Sequence, residues 1–349
     1  MIKDPTILFR PNIAALTPYS TARDEYEGSI GTFIDANENP NENGYNRYPD
    51  PRQKELKAKL STIKGVAPER IFTGNGSDEA IDLCYRVFCR PGVDNVVAIA
   101  PSYGMYTVAA AINDIEVREV LLDENFDLPI ERLMAATDAN TKLMFLCSPN
   151  NPTGNSLNRA SIVHLIKNFE GIVVLDEAYI DFAEQKGFLG DLYKYPNLIV
   201  LQTLSKAWGM AGLRFGLAFA DERIISMFNR VKYPYNINVA ASRLVADMLD
   251  CDIAVQVAEI KEQRSMLTEK MAALSCIDKV YPSDANFLLV RTDDADALYN
   301  ALLADGIIVR NRNRVAMCKG CLRITVGTPT ENQALLTSLT KYDSQWQQK

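Results

Sequence analysis

Four short segments of the chain carry side chains suited to chemistry, and each follows an apolar run. They read TGNGSDE from Thr73, SPNNPTG from Ser148, VLDEAY from Val174 and TLSKAWGMAGLRFG from Thr203. A carboxylate at the end of a buried strand is costly unless a cation pairs with it. Asp176 therefore predicts either a metal ion or a protonated ring nitrogen as its partner. Lys206 lies between hydroxyl groups and glycines, where a lysine near other cations can lose its proton and act as a Schiff-base nucleophile.

The remaining side chains of these segments are suited to holding an anion. The glycines before Ser77 let the backbone approach an anion, which the free N–H groups and positive end of a following helix would stabilise. A simple helix cap is the alternative. The prolines around Asn151 predict a rigid turn that points this side chain into a site, with a plain loop as the alternative. Thr203, Ser205 and Arg214 are suitable phosphate donors.

Short β-branched runs alternate with helical patterns between about residues 70 and 220. The predicted strands are Arg70–Thr73, Val96–Ala100, Glu116–Leu122, Lys142–Cys147, Ile172–Leu175, Leu198–Gln202 and Phe215–Ala220. Helices are predicted at Asp78–Cys89, Ser102–Ile112, Ile130–Ala136 and Arg159–Asn168. This alternation is typical of an α/β fold with a mostly parallel sheet between helices. Ligands of such sheets bind beyond the carboxyl ends of the strands, where the four segments lie.

The pattern changes after about residue 230 and predicts a smaller α+β domain. A long helical stretch runs through Leu274, followed by strands at Asn286–Arg291, Ile307–Arg310 and Leu322–Val326, a helix at Asp294–Ala304 and a closing helix. We expect residues 1–45 to form an N-terminal arm and part of the small domain. Residues 46–232 would form the large domain and residues 233–349 the small C-terminal domain.

Composition excludes several classes of function. A net charge of −7 and a pI near 5.1 give no electrostatic footprint for nucleic acid. The chain has no apolar run long enough for a membrane span and no signal-peptide pattern at its start, and its odd number of cysteines favours reduced thiols in the cytoplasm. Cys318 and Cys321 form a lone C-x-x-C, and the only histidine, His164, lies in a predicted helix. We therefore expect no metal site.

The motifs NPTG, DEAY and SKxxGxxGLRxG, in this order, resemble the signature of the fold-type-I pyridoxal-phosphate (PLP) dependent aminotransferases. Asn151 and Asp176 are 25 residues apart and Asp176 and Lys206 are 30 apart, as is typical of that family. The resemblance covers almost the whole chain. It implies an aspartate-aminotransferase-like large domain that binds PLP, plus the smaller domain.

The resemblance also implies roles for individual residues. Lys206 would bond to the cofactor's aldehyde carbon and shuttle a proton, and Asp176 would keep the pyridine nitrogen protonated. Tyr179 and Asn151 would donate to the ring's phenolic oxygen, and Tyr103 would stack on the ring. The phosphate cup would comprise Gly76, Ser77, Asp78 (through its backbone N–H), Thr203, Ser205 and Arg214. Tyr48 would reach the phosphate of a neighbouring subunit's cofactor, which implies a homodimer.

Further segments resemble the histidinol-phosphate aminotransferases: LTPY from Leu16, DANENP from Asp35 with a later YPDP turn, GIIVR from Gly306 and GCLRITVG from Gly320. The resemblance implies amino transfer between L-histidinol phosphate and 2-oxoglutarate, giving imidazole-acetol phosphate and L-glutamate in histidine biosynthesis. The substrate anion would be bound by Tyr19, Asn151, Arg310 and Arg323. Two arginines suit a site that accepts a phosphate and a carboxylate in turn. The run Arg310-Asn-Arg-Asn-Arg leaves open whether Arg310 or Arg312 faces the pocket.

Other functions remain as alternatives at this point. An aromatic or broad-specificity aminotransferase keeps every cofactor residue and has less need of Arg310. A lyase resembling threonine-phosphate decarboxylase also binds a phosphorylated substrate. A regulator on the same fold would need an added DNA-binding domain, for which the chain has neither length nor basic charge. A dinucleotide-binding pattern is incomplete, since Glu79 replaces its third glycine.

Overall fold

The computed structural model describes residues 4–21 and 31–347. Its strands are β1 Ile71–Asn75, β2 Asn95–Ala100, β3 Glu116–Leu121, β4 Thr141–Cys147, β5 Ile172–Asp176, β6 Leu198–Thr203, β7 Phe215–Phe219, β8 Lys279–Val280, β9 Phe287–Arg291, β10 Arg310–Asn311 and β11 Cys321–Thr325. Its helices are α1 Pro11–Ala14, α2 Lys54–Lys64, α3 Gly76–Phe88, α4 Met105–Ile112, α5 Ile130–Ala135, α6 Arg159–Asn168, α7 Glu222–Val231, α8 Val239–Met248, α9 Ala254–Ala272, α10 Ala295–Ala304 and α11 Pro329–Trp346. Short 3-10 turns connect several of these elements. Among the described residues, no helix combines the length and hydrophobicity needed to cross a membrane.

Strands β1 to β7 form one mixed sheet in the order β1-β7-β6-β5-β4-β2-β3. The pairs β2–β3, β2–β4, β4–β5 and β5–β6 are parallel, whereas β7 is antiparallel to both β1 and β6. Since β1 and β6 both oppose β7, they run in the same direction. One edge of the sheet therefore holds the carboxyl ends of β1, β2, β4, β5 and β6. The expected mostly parallel α/β sheet is confirmed.

Helices cover both faces of this sheet. The alternation along β5 shows the arrangement, because Val173 and Leu175 pack into one apolar cluster and Ile172 and Val174 into the other. All four side chains are fully buried. Central parallel strands covered on both sides read as continuous apolar runs. This is why the predicted strands agree with the structure to within one or two residues.

Strands β8 to β11 form a second, antiparallel sheet in the order β10-β11-β9-β8. On β9, Phe287 and Leu289 join the apolar cluster of the large sheet, whereas Leu288 and Val290 join a third cluster with residues of α9, α10 and α11. One face of the small sheet thus packs towards the large domain. The predicted α+β character of this region is confirmed, while the predicted domain limits remain a prediction.

Two details of the C-terminal half differ from expectation. The helical stretch expected through Leu274 consists of two helices, because α8 ends at Met248 and α9 starts at Ala254. The Asp252 carboxylate accepts a hydrogen bond from the Ala254 N–H at 2.8 Å, which supports the new helix start. The strand expected at Ile307–Arg310 pairs only over Arg310–Asn311.

Candidate active site

One cavity opens at the edge where the parallel strands end. It is lined by Gly76, Ser77, Asp78, Tyr103, Cys147, Asn151, Asp176, Ala178, Tyr179, Thr203, Ser205, Lys206 and Arg214. This set contains every residue that the sequence suggested for cofactor binding except Tyr48. The four chemically suited segments, far apart in sequence, converge because their strands point to the same sheet edge.

Asp176 is the last residue of β5 and is almost fully buried. Its carboxylate accepts hydrogen bonds from the Tyr106 hydroxyl at 2.8 Å and from the Ala178 N–H at 3.0 Å. Burial raises the pKa of Asp176 to about 6, against these hydrogen bonds, which lower it. A buried acid of this kind needs a cationic or proton-donating partner in the cavity.

Lys206 follows β6 and reaches into the same cavity as Asp176. Its Nζ lies 5.7 Å from the centre of the Tyr179 ring. Partial burial and the positive charge of Arg323 lower the pKa of Lys206, so that a larger fraction of this amine is neutral than in water. Burial raises the pKa of the Tyr179 phenol, which keeps it protonated as a hydrogen-bond donor.

An anion-binding end of the cavity is formed where β1 leads into α3. Helix α3 begins at Gly76 with no side-chain cap, so that the next two N–H groups, those of Ser77 and Asp78, are available to an anion. Gly76 has a positive φ of 71°, and its N–H donates to the Arg214 carbonyl at 2.8 Å. A Cβ at Gly216 would lie 2.1 Å from the Gly76 backbone. Only glycine at position 216 therefore lets β7 pass this close to the helix start.

Asp78 has a different function at this end of the cavity. Its carboxylate accepts a hydrogen bond from the Tyr103 hydroxyl at 3.0 Å and lies 3.5 Å from the Arg214 guanidinium. Like charges repel, so this carboxylate cannot face an anion directly. It orients Tyr103 and Arg214 instead, which agrees with an anion contact through its backbone N–H only.

On the small-domain side, Arg323 of β11 bonds to the loop that follows β4. Its Nη1 donates to the Asn151 Oδ1 at 2.5 Å, and its guanidinium lies 5.2 Å from the centre of the Phe287 ring. Burial, together with the charges of Arg312 and Arg310, lowers the pKa of Arg323. Three arginines thus lie within electrostatic range of one another beside the cavity.

Four expected residues do not line the cavity in a single chain: Arg323, which contacts Asn151 of the lining, and Tyr19, Tyr48 and Arg310. Tyr19 and Tyr48 are exposed, with 75% and 50% of their surfaces accessible. Tyr48 stacks on Tyr235 at 4.5 Å between ring centres. Arg310 is exposed on β10, directly opposite Arg323 on β11. The suggested roles of these residues stay predictions.

Two buried residues next to the cavity, Tyr106 and Glu177, were not among the site residues expected from the sequence. Tyr106, which bonds Asp176, is fully buried and stacks on Phe145 at 4.9 Å between ring centres. Glu177 is also buried, and accepts hydrogen bonds from the Phe188 N–H at 2.7 Å and the Gln202 amide at 3.0 Å. Burial raises the pKa of Glu177 to about 7. The adjacent acids in DEAY were the available signal for Glu177.

Cys318 and Cys321 are buried free thiols whose pKa values burial raises to about 12 and about 11. Their backbones form a turn, with the Cys321 N–H donating to the Cys318 carbonyl at 3.0 Å. Within residues 4–21 and 31–347, no group of three or more His, Cys, Asp or Glu side chains is arranged to hold a metal ion. His164 lies on helix α6, as predicted, and its side chain is exposed.

This arrangement can be compared with known proteins. Residues 25–339 match the family model described as aminotransferase class I and II. The chain belongs to this family. The assignment agrees with the resemblance that the sequence motifs suggested.

Named relatives and solved structures show which individual enzymes this class I and II aminotransferase is similar to. A histidinol-phosphate aminotransferase from Bacteroides thetaiotaomicron is 56% identical over 96% of this chain and 98% of its own. A solved histidinol-phosphate aminotransferase from Sinorhizobium meliloti, in complex with pyridoxal-5'-phosphate, superposes with a TM-score of 0.79 at 24% identity, covering 86% of this chain and 84% of that one. The L-threonine-O-3-phosphate decarboxylase from Porphyromonas gingivalis superposes with a TM-score of 0.71 at 23% identity, covering 85% and 90%. The two solved structures therefore establish the fold of this aminotransferase but do not separate the two reactions.

Proposed function

We propose that this chain is a PLP-dependent histidinol-phosphate aminotransferase. It transfers an amino group reversibly between L-histidinol phosphate and 2-oxoglutarate, giving imidazole-acetol phosphate and L-glutamate. The reaction belongs to histidine biosynthesis. The observation that carries the proposal is the position of Asp176 and Lys206 on the wall of one cavity that also contains an uncapped helix start.

The donor set of the cavity fits PLP. Bound PLP supplies an aldehyde carbon that takes up the amino group and a protonated ring that withdraws electrons from the substrate carbon. The Asp176 carboxylate would hold the ring nitrogen, and the ring face would lie against Tyr103. The N–H groups at the start of α3, with Ser205, Thr203 and Arg214, would hold the phosphate.

The protein's own residues then have separate tasks. Asp176, buried and held by the Tyr106 hydroxyl, keeps a negative charge at a fixed point. The Lys206 Nζ, with its lowered pKa, accepts and returns a proton within the cavity. The phenol of Tyr179 and the amide of Asn151, both on the cavity wall, would donate to the oxygen on the ring of bound PLP.

Substrate identity is supported by the charge beside the cavity and by the similar enzymes. Histidinol phosphate carries a phosphate ester where glutamate carries its α-carboxylate, so the site must bind either anion with cationic donors. Arg323 lies next to the cavity, because it donates a hydrogen bond to Asn151, which lines the cavity wall. The 56% identity to the Bacteroides thetaiotaomicron enzyme over nearly the whole chain supports the same substrate.

The assembly we propose is a homodimer in the cytoplasm. Tyr48 is exposed in the single chain, where it could reach the phosphate of a neighbouring subunit's cofactor. Free thiols at all seven cysteines suit a reducing compartment. Arg310 and Tyr19 would add contacts to the substrate phosphate.

A spectroscopic titration tests the proposed function. Protein loaded with PLP is titrated with histidinol phosphate, and we expect the yellow band of the bound cofactor to bleach and to return when 2-oxoglutarate is added. Glutamate should form in equal amount. Lys206→Ala should lose both the band and turnover, while it still binds PLP noncovalently.

Two other outcomes would identify the rival functions. Faster turnover of phenylalanine than of histidinol phosphate, each with 2-oxoglutarate, would indicate an aromatic aminotransferase. Release of carbon dioxide from a phosphorylated amino acid without any keto acid would indicate a decarboxylase. Either result would contradict the proposed reaction while leaving the PLP site unchanged.

A further inference from the structure

The run from Arg310 to Asn313 alternates between two faces of the chain. The Asn311 and Asn313 amides donate to the two carboxylate oxygens of Asp296 at 2.6 and 3.0 Å, at the start of α10. Arg310 and Asn311 form β10, and the Arg312 N–H continues its pairing with β11, so successive side chains over these three residues point to opposite sides. Arg310 and Arg312 therefore point away from α10.

The pairing of β10 with β11 shows which residues lie on the same face of the sheet as Arg310 and Arg312. Arg310 is the direct partner of Arg323, and the Arg312 N–H continues the ladder by donating to the Cys321 carbonyl at 2.9 Å. Directly opposed residues lie on the same face of a sheet, and diagonal neighbours are about 7–8 Å apart. Arg312 and Arg323 are such diagonal neighbours, so their side chains project to the same side as Arg310.

That face points to the cavity side of the small sheet. Leu322 and Ile324, which alternate with Arg323 along β11, pack into the small domain's own cluster. Arg323 itself reaches Asn151 on the large domain. Arg312 is half-buried, and both Arg310 and the Tyr179 phenol are within electrostatic range of it.

The guanidinium groups of Arg312 and Arg323 both have unused donors. The Nε of each is buried and has no hydrogen-bond partner among the described residues. A buried N–H without a partner is costly, and two such cations side by side add repulsion. Both costs are removed when an anion with several acceptor oxygens binds between them.

We propose that Arg312 is a specificity-determining residue that binds the phosphate of the substrate together with Arg323. The inference rests on the proposed function and extends it to Arg312, whose orientation the run Arg310-Asn-Arg-Asn-Arg left open. A phosphate ester carries about −1.5 to −2 charges and three acceptor oxygens at pH 7, whereas a carboxylate carries one charge and is satisfied by one bidentate arginine. The second arginine therefore favours the phosphorylated substrate over glutamate.

The test compares Arg312→Gln with Arg314→Gln in the PLP-loaded enzyme. Arg314 is a matched control because it is exposed and only two residues further on. We expect Arg312→Gln to lower kcat/KM for histidinol phosphate by about 10- to 100-fold, mainly through KM, and kcat/KM for glutamate by less than about threefold. Arg314→Gln should change neither, and Arg312→Lys should restore part of the loss.

A pH profile provides a readout that a purely structural role would not change. The second pKa of a phosphate ester is near 6, so in the wild-type enzyme KM for histidinol phosphate should rise below about pH 6 as the dianion is lost. In Arg312→Gln this rise should become shallower. Equal losses for both substrates, or no loss for either, would overturn the role of Arg312. Failure of the wild-type enzyme to use histidinol phosphate would instead overturn the proposed function itself.

Discussion

Replacing Tyr106 with Phe removes the hydroxyl that donates to the buried Asp176 carboxylate at 2.8 Å. A hydrogen bond to a charged group contributes about 1.5–3 kcal/mol, and one pKa unit corresponds to about 1.4 kcal/mol. The loss should therefore raise the pKa of Asp176 by about one to two units. In the cofactor-free protein this pKa is about 6, so about half to nine-tenths of the variant's carboxyl should be protonated at pH 7. A protonated carboxyl no longer holds the charge that the cofactor's ring nitrogen needs.

The assay is PLP affinity as a function of pH between 5.5 and 9, measured by absorbance for the wild type and Tyr106→Phe. We expect about a two- to tenfold loss of affinity at pH 7 and a midpoint shifted upward by about one to two units. Tyr85→Phe is the matched control, because Tyr85 is an equally buried tyrosine that donates to the Tyr106 carbonyl at 2.7 Å. The control should lose stability without any change in the pH midpoint. Identical midpoints for Tyr106→Phe and wild type would refute the reasoning.

Three further predictions concern stability, the anion site and the assembly. Glu177→Gln should stabilise the protein by about 1–3 kcal/mol at pH 8 and hardly at pH 4. The folded-state pKa of the Glu177 carboxyl is raised from 4.5 to about 7, so the wild-type protein loses stability as pH rises through that range. Calorimetry that showed equal stabilisation at both pH values would contradict this. Gly216→Ala should weaken PLP binding by at least about tenfold, because the added Cβ would lie 2.1 Å from the backbone of Gly76. Gly212→Ala is the control, since a Cβ at Gly212 would meet no atom within 4 Å, and this variant should bind PLP normally in the same titration. Mixed dimers of one Tyr48→Phe chain and one Lys206→Ala chain should be more active than the mean of the two parent dimers. If Tyr48 acts across the interface, the site that retains Lys206 also receives the native Tyr48 of the other chain. Activity at or below that mean would place Tyr48 in its own subunit's site.

The sequence was most informative where physical demands are local. Buried parallel strands such as β5 need a continuous apolar run, so their positions could be predicted closely. Chemistry at the strand ends also follows from the topology. Asp176 and Lys206 are therefore predictable from the sequence, and they share one cavity.

Other features depend on contacts that no local pattern records. Tyr106 and Asp176 are 70 residues apart, and nothing near Tyr106 indicates that its hydroxyl faces an acid. Strand β10 is only two residues long and is set by pairing with β11, so its bounds could not be read from apolar character. The orientation of Arg312 depends on the hydrogen bonds from Asn311 and Asn313 to Asp296, which no local sequence pattern records.

The most direct test of the central claim is to find which lysine the cofactor bonds. The protein is loaded with PLP and reduced with borohydride, which fixes the lysine–cofactor bond, and its peptides are then mapped by mass spectrometry. Lys57 is an internal competitor, because burial lowers its pKa to about 8 and it lines a different cavity. We predict a single modification at Lys206, lost in Lys206→Ala. Modification at Lys57 instead, or no modification at Lys206, would contradict the account.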